Sequence, residues 1–422
     1  MTKPQAFTGE LARRLSEIRE AGLYRELRQV DSPQSHLLVI DGREYLNFSS
    51  NDYLGLANDS RLKEAAIQAI EKFGVGSGAS RLISGSLAPL HELEASLAGF
   101  KNAERALTFS SGYATALGVI ATLVAKDDII VIDKLAHACI VDAARLSGAA
   151  LRVFAHNDLN DLEDILKWAD RRGTKGSASR RPQTLIVTES VFSMDGDHAP
   201  LRELVELKER YGAWLMVDEA HATGIYGPRR QGLAEELGVS DRVEIQMGTL
   251  GKALGTVGGF ICGSSALVEC LINRARSFIF STAPAPALAA ASMAAVTFVQ
   301  SSAGESRRQK LWVRVKQLSE AATRWLPSAP GVPSGSGRNL SPAKLSARAQ
   351  GNSAIIPIVI GDESEAMKLS AALRAEGIYI PAVRYPAVGR GRARLRVTLT
   401  ASHTAEDVSR LLQAAANLNF QI

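Results

Sequence analysis

The chain has 422 residues, of which 46% are hydrophobic and 22% charged, a balance that suits a globular protein with room for one large and one smaller domain. Lys and Arg number 49 against 44 Asp and Glu, and the basic residues are dispersed rather than run together. That argues against a nucleic-acid partner, while the modest positive balance suits a substrate bearing phosphate or carboxylate.

From the N-terminus, Leu11, Leu15, Ile18 and Leu23 recur at helical spacing among charges, which predicts an amphipathic helix over residues 10–28. "SHLLVIDGREYLNFSS" reads as a hairpin turning at Asp41-Gly42, and "NDYLGL" as a turn. "RLKEAAIQAIEKFG" predicts a helix stopped by glycine, and "GVGSGASRLISGSLAPLHELEASLAGF" a glycine-rich loop running into another helix. Short β-rich runs then recur: "RALTFSS", "DIIVID", "LRVFAH", "TLIVTES", "WLMVDEAH", "EIQMGT" and "GGFICGS", most of them separated by helical or turn segments. This alternation predicts an α/β fold, a large and mostly parallel sheet covered on both faces. "SFIFSTAPAPALAAASMAAV" leads into a long helix. We expect a segment 1–58 of helix and hairpin, a large domain over 59–285 and a smaller α/β C-terminal domain over 286–422. In the last, residues 327–352, rich in Pro, Gly and Ser, read as a mobile connection, followed by strands in "SAIIPIVIG", "IYIPAVRYP" and "ARLRVTLT" and a helix over 364–376.

Cys139, Cys262 and Cys270 show no CxxC or Cys/His ligand spacing, so neither a disulfide framework nor a metal site is expected. No apolar run reaches the ~20 residues that cross a bilayer. "MTKPQAFTGELARRLSEIRE" lacks the apolar core of a signal peptide. We expect a cytoplasmic protein without membrane association.

In a parallel sheet the ligand sits beyond the carboxyl ends of the strands, where this chain places polar residues. "VDEAHATG" offers Asp218 and His221, "TESVFSMDGD" offers Glu189 and Ser193, and "MGTLGK" offers Thr249 and Lys252. A buried acid can keep a heteroaromatic nitrogen protonated, and a lysine can form a Schiff base with an aldehyde. A threonine hydroxyl can meet a phosphate. At "FSSGYAT" a strand gives way to a helix, so the N–H groups of Gly112 and Tyr113 can meet an anion. Singly, a lysine in a glycine turn is usually solvated and an acid at a strand end usually caps a helix; together the set describes a pyridoxal-phosphate (PLP) site. The glycines of "GVGSGASRLISG" form no GxGxxG after a strand, and no GxxxxGK[ST] occurs, so nucleotide folds are not indicated.

From "EYLNFSSNDYLGL" to "ARLRVTLTASH" the sequence resembles the α-oxoamine synthases, fold-type-I PLP transferases that join an amino acid to an acyl thioester with loss of CO2. The phrases that carry the likeness are "SNDYLGL", "GSGASRLISGS", "FAHND", "VFSMDGDHAPL", "MVDEAHATG" and "VRYPAVGRGRARLR". The resemblance implies that Lys252 forms the Schiff base and acts as general base, that Asp218 pairs with the pyridine nitrogen and that His221 contacts the ring hydroxyl. It also implies that His137 stacks on the ring, that Ser193 and Thr249 contact the cofactor, and that Gly112 and Tyr113 hold its phosphate. Arg384 and Arg396 are the implied carboxylate clamps, with Arg25 a looser match to a substrate-contacting arginine. Thr282, in "FIFSTAPAPA", is implied to reach the phosphate of a partner subunit in a homodimer. The implied substrates are L-alanine and a pimeloyl thioester, on CoA or on a carrier protein. Rival branches take other pairs: 2-amino-3-ketobutyrate ligase, 5-aminolevulinate synthase and serine palmitoyltransferase. A PLP-binding module without turnover is the remaining alternative. Where relatives read Pro-Thr-Val-Pro after the Arg384 position, this chain reads Tyr385-Pro386-Ala387-Val388-Gly389, so Ala387 replaces a substrate-contacting threonine and implies a looser acyl pocket.

Overall fold

The computed structural model describes residues 3–173, 182–325, 344–345 and 353–418. The expected connection over 327–352 lies outside the described residues apart from Lys344 and Leu345. The chain opens with α1 (Lys3–Glu20), then β1 (Leu37–Ile40) and β2 (Arg43–Asn47). Helix α1 stops earlier than the spacing predicts. Gly22 takes φ +67°, and the N–H groups of Gly22 and Leu23 close on Arg19 and Ile18, a glycine stop that leaves Leu23 beyond the helix. The hairpin turn has Asp41 at φ +52° and Gly42 at φ +72°, the paired left-handed conformation that a two-residue loop between twisted strands requires.

Next come α2 (Ser60–Phe73), α3 (Ala88–Lys101), β3 (Arg105–Phe109), α4 (Gly112–Leu123), β4 (Ile129–Asp133), α5 (Ala138–Ser147), β5 (Ala150–Phe154) and α6 (Leu159–Gly173). They are followed by β6 (Thr184–Glu189), α7 (Leu201–Tyr211), β7 (Trp214–Asp218), α8 (Leu233–Glu236), β8 (Ile245–Thr249), β9 (Gly259–Gly263), α9 (Ser265–Arg274), α10 (Arg276–Ile279) and α11 (Pro286–Gln300). Seven of the strands form one sheet in the order β3-β9-β8-β7-β6-β4-β5. All its pairs are parallel except those of β9, which runs against both β8 and β3. Alternate strand residues such as Ile130, Ile132, Val187, Met216 and Ile261 join α4, α5 and α9 in one core. Their neighbours Val131, Ile186, Val217 and Phe260 are buried as well, so both faces of the sheet are covered, as a near-continuous apolar strand requires.

The remaining elements are α12 (Ser302–Trp325), β10 (Lys344–Leu345), β11 (Ile355–Gly361), α13 (Glu363–Ala375), β12 (Ile378–Tyr379), β13 (Ala382–Val383), β14 (Ala393–Thr398) and α14 (Ala405–Asn417). They supply a four-stranded sheet, β10-β11-β14-β13, and the outer strand of a three-stranded one, β1-β2-β12.

The residues fall into two compact units, one of 51–193 and 197–310 and the other of 1–50, 194–196 and 311–422. The limit expected near residue 286 thus falls at the start of α11. That helix packs on α2 and α3 inside the larger unit, burying Ala287, Ala291, Ala295 and Val299. The N-terminal hairpin belongs with the C-terminal strands, because β2 takes β12 as a parallel neighbour, Leu46 opposite Ile378. Among the described residues no single helix is long and apolar enough to cross a membrane.

Candidate active site

In the larger unit, the carboxyl ends of β6, β7 and β8 lie side by side. Glu189 and Asp218 are register partners across β6 and β7, and Asp218 faces Met247 of β8. Both carboxylates are buried. Burial pushes the Asp218 carboxyl up, against the pull of the Lys252 ammonium and the Ala220 N–H, which donates to Asp218 Oδ1 at 2.9 Å. Burial, and then the negative charge of Asp218, push Glu189 up likewise. Glu189 Oε2 accepts the Ser193 N–H at 3.2 Å.

The turn after β8 carries Lys252, whose Nζ lies 2.8 Å from His221 Nε2, while His221 Nδ1 lies 2.6 Å from the Tyr53 hydroxyl. An ammonium donating to Nε2 puts the imidazole proton on Nδ1, which then donates to Tyr53. His137 begins the β4–α5 loop's helix: its Nδ1 accepts the Cys139 N–H at 3.3 Å. Burial, then the nearby Lys252 charge, lower the pKa of His137, partly offset by Asp218, so all three residues share one electrostatic neighbourhood.

Ser111 caps α4 with a hydroxyl that accepts the Ala114 N–H at 3.0 Å, which leaves the N–H groups of Gly112 and Tyr113 at the open start of the helix. Thr249 stands next to them: a methyl built on Gly112 would lie 4.0 Å from Thr249 Oγ1. That hydroxyl donates to Gly258 O at 3.0 Å and accepts the Gly251 N–H at 3.2 Å. The Tyr113 hydroxyl donates to Asp142. Thr282 is exposed and forms a bridge with Ser80.

The arginines lie in the smaller unit. Arg384 donates to the backbone oxygens of Gly22 and Tyr24, so its fork holds the segment after α1. Arg25 donates to Tyr385 O at 2.7 Å. Arg396, on β14 opposite Pro357, is buried, and two residues earlier on the same face Arg394 pairs with Asp195 at 2.8 Å. Ala387 is exposed, in a turn closed by its N–H on Arg384 O. The structure therefore brings Lys252, Asp218, His221, Ser193, His137, Thr249, Gly112 and Tyr113 together in one unit, and Arg25 with the Arg384 segment in the other. Sequence reasoning assigns no role to Tyr53, although the "SNDYLGL" phrase contains it, and leaves Glu189 as a strand-end acid only.

An amine, a buried acid, a hydroxyl and an open helix N-terminus at adjoining strand ends define a PLP-dependent enzyme of fold type I. The residues fit the cofactor: Asp218 offers a buried carboxylate to a ring nitrogen, Lys252 an amine to the aldehyde, and Thr249 with the α4 N-terminus a cradle for the phosphate.

Comparison with known proteins agrees. The profile of the aminotransferase class I and II family matches residues 43–414. An 8-amino-7-oxononanoate synthase of Geotalea daltonii is 45% identical over 404 residues, covering 96% of each chain. The serine palmitoyltransferase of S. paucimobilis, solved with PLP bound as an adduct with myriocin, superposes with a TM-score of 0.85 at 27% identity, covering 99% of this chain and 100% of that one. The 8-amino-7-oxononanoate synthase of Francisella tularensis gives a TM-score of 0.71 at 27% identity over 89% of this chain and 98% of that one. The chain belongs to the class I and II aminotransferase family, within its α-oxoamine synthase branch, and its cofactor is PLP.

Proposed function

We propose that the protein condenses L-alanine with a pimeloyl thioester, on CoA or a carrier protein, releasing the thiol and CO2 and giving 8-amino-7-oxononanoate. The observation that carries this reading is the Lys252–His221–Asp218 constellation in a chain 45% identical, over 96% of its length, to a synthase of that name. When bound, PLP supplies an aldehyde for amines and a ring into which a carbanion can delocalise. Lys252 would hold the cofactor by its amine, and the same amine, when free, would take the proton from the alanine Cα as general base. His221, 2.8 Å from Nζ, accepts a hydrogen bond from that amine and is itself fixed by Tyr53. Asp218 would hold a proton on the ring nitrogen: its carboxyl, pushed up by burial, would be brought down again by a cationic partner. His137 would cover one ring face, Ser193 and Thr249 would orient the ring, and Gly112 and Tyr113 would bind the phosphate.

Arg396, buried on β14 opposite Pro357, is the carboxylate clamp in this reading. A guanidinium presents paired donors that lysine cannot copy. The protein acts as a homodimer in the cytoplasm, and exposed Val75, Ile83 and Phe280 of the larger unit favour a covering partner. The test is turnover of a panel of amino acids and acyl thioesters, following thiol and CO2 release. Alanine with pimeloyl thioester should be preferred, with other chain lengths tolerated because Ala387 lacks the threonine side chain. Activity confined to glycine or serine, or to acetyl or succinyl thioesters, would move the protein to another branch, and a fully active monomer would overturn the dimer.

A further inference from the structure

Within the larger unit a second buried cluster lies beside the site just described. His156, two residues past β5, has Nδ1 2.9 Å from Asp133 Oδ1 and Nε2 2.7 Å from Asp197 Oδ2. All three side chains are at most 9% exposed. A neutral imidazole carries one N–H, so a ring with a carboxylate at each nitrogen must donate from both and is therefore cationic. Burial pushes its pKa down, but the hydrogen bonds and charges of Asp133 and Asp197, the two charged groups that face it, outweigh that and raise it to about 9.

Each aspartate anchors a different loop. Asp133 ends β4 and accepts the Leu135 N–H at 2.7 Å, at the start of the stretch that ends in His137. Asp197 closes the loop after β6, since its backbone oxygen accepts the Phe192 N–H at 2.9 Å and Val191 bridges His198. Ser193 rides on that loop, and the Phe192 ring next to it meets the His156 ring edge-on, with centroids 4.4 Å apart. We propose that His156, clasped between Asp133 and Asp197, is a positioning residue for the cofactor pocket, holding the loop of His137 and the loop of Ser193 at a fixed separation. It touches neither cofactor nor substrate; it acts through the two loops. This rests on the PLP reading of the site.

The test is the PLP dissociation constant of the apoprotein, measured by absorbance titration, alongside the apoprotein melting temperature. His156→Gln can donate to one aspartate only and carries no charge, so its PLP dissociation constant should rise by about tenfold or more, the loss expected for a charged hydrogen bond. Val299→Ala, a core truncation in α11, should lower the melting temperature while leaving the PLP dissociation constant within about twofold of wild type. The pH dependence is a second signature. A pKa raised above its unfolded value stabilises at neutral and low pH and loses that contribution as pH rises through about 9. Wild-type PLP affinity should therefore fall across that range in a limb absent from His156→Gln. Should His156→Gln fail to fold, Asp197→Asn keeps the imidazole but not its charge and should weaken PLP in the same direction. Wild-type PLP affinity in a folded His156→Gln or Asp197→Asn would overturn the proposal, whereas a wild-type protein that takes up no PLP would overturn the functional reading on which it stands.

Discussion

The 2.8 Å contact between Lys252 and His221 makes the state of one amine depend on a neighbour that is itself fixed by Tyr53. If Lys252 carries the cofactor, Lys252→Ala should leave no PLP–protein adduct after borohydride reduction, as read by intact mass; an adduct surviving in that variant would refute the assignment. Asp218→Asn keeps the shape of the side chain and removes the charge. It should retain PLP yet slow deuterium exchange at the alanine Cα by at least about tenfold, because a neutral amide cannot hold a proton on the ring nitrogen. Unchanged exchange would contradict that role. For the clamp, Arg396→Lys should raise the alanine KM and lower kcat together, as a misaligned Cα–H bond is slower to break, while the thioester KM changes less. A raised thioester KM with alanine unaffected would assign the arginine to the acyl side.

Among the elements, β9 leaves no room for a side chain where it meets α4. A methyl at Gly259 would sit 2.4 Å from Thr115 Oγ1 and 2.7 Å from the backbone N and Cα of Gly112, so β9 touches the helix start proposed to hold the phosphate. Gly259→Ala should therefore push α4 outward and weaken PLP binding by about tenfold, a larger effect than its cost to melting temperature implies. Equal PLP affinity in that variant would show that the α4 start takes no part in holding the cofactor. The seven strands of the large sheet were legible because each is a short β-rich run, and α2 because Gly74 stops it at φ +80°, whereas β10 falls in the stretch read as a connection. The reversal of β9 was not, since a five-residue run such as "GFICG" carries no direction. Tyr53 escaped because its partner His221 lies far along the chain, and the engagement of Arg384 because backbone oxygens at Gly22 and Tyr24 leave no mark in a sequence. Helix α14, which the pattern reading passes over, does carry a signal, the Thr404–Asp407 capping box.

At the scale of the molecule, the smaller unit is assembled from the two ends of the chain and a three-residue piece of its middle. Leu46 pairs with Ile378, and Phe48 O accepts the Thr398 N–H at 2.7 Å. A chain truncated after residue 310 should therefore keep the seven-stranded sheet of the larger unit but expose the outer edge of β2, and it should self-associate more than the full chain in light scattering. A truncated chain that stays monodisperse would mean that the β2 edge is harmless without β12. The same pairing orders events on the ribosome. The hairpin emerges first, yet its neighbour is made only after the whole larger unit has been translated, so at roughly 5–20 residues per second the nascent protein carries an uncovered strand for many seconds. Growth in the cell thus sets a waiting time during which that edge stands without its finished neighbour.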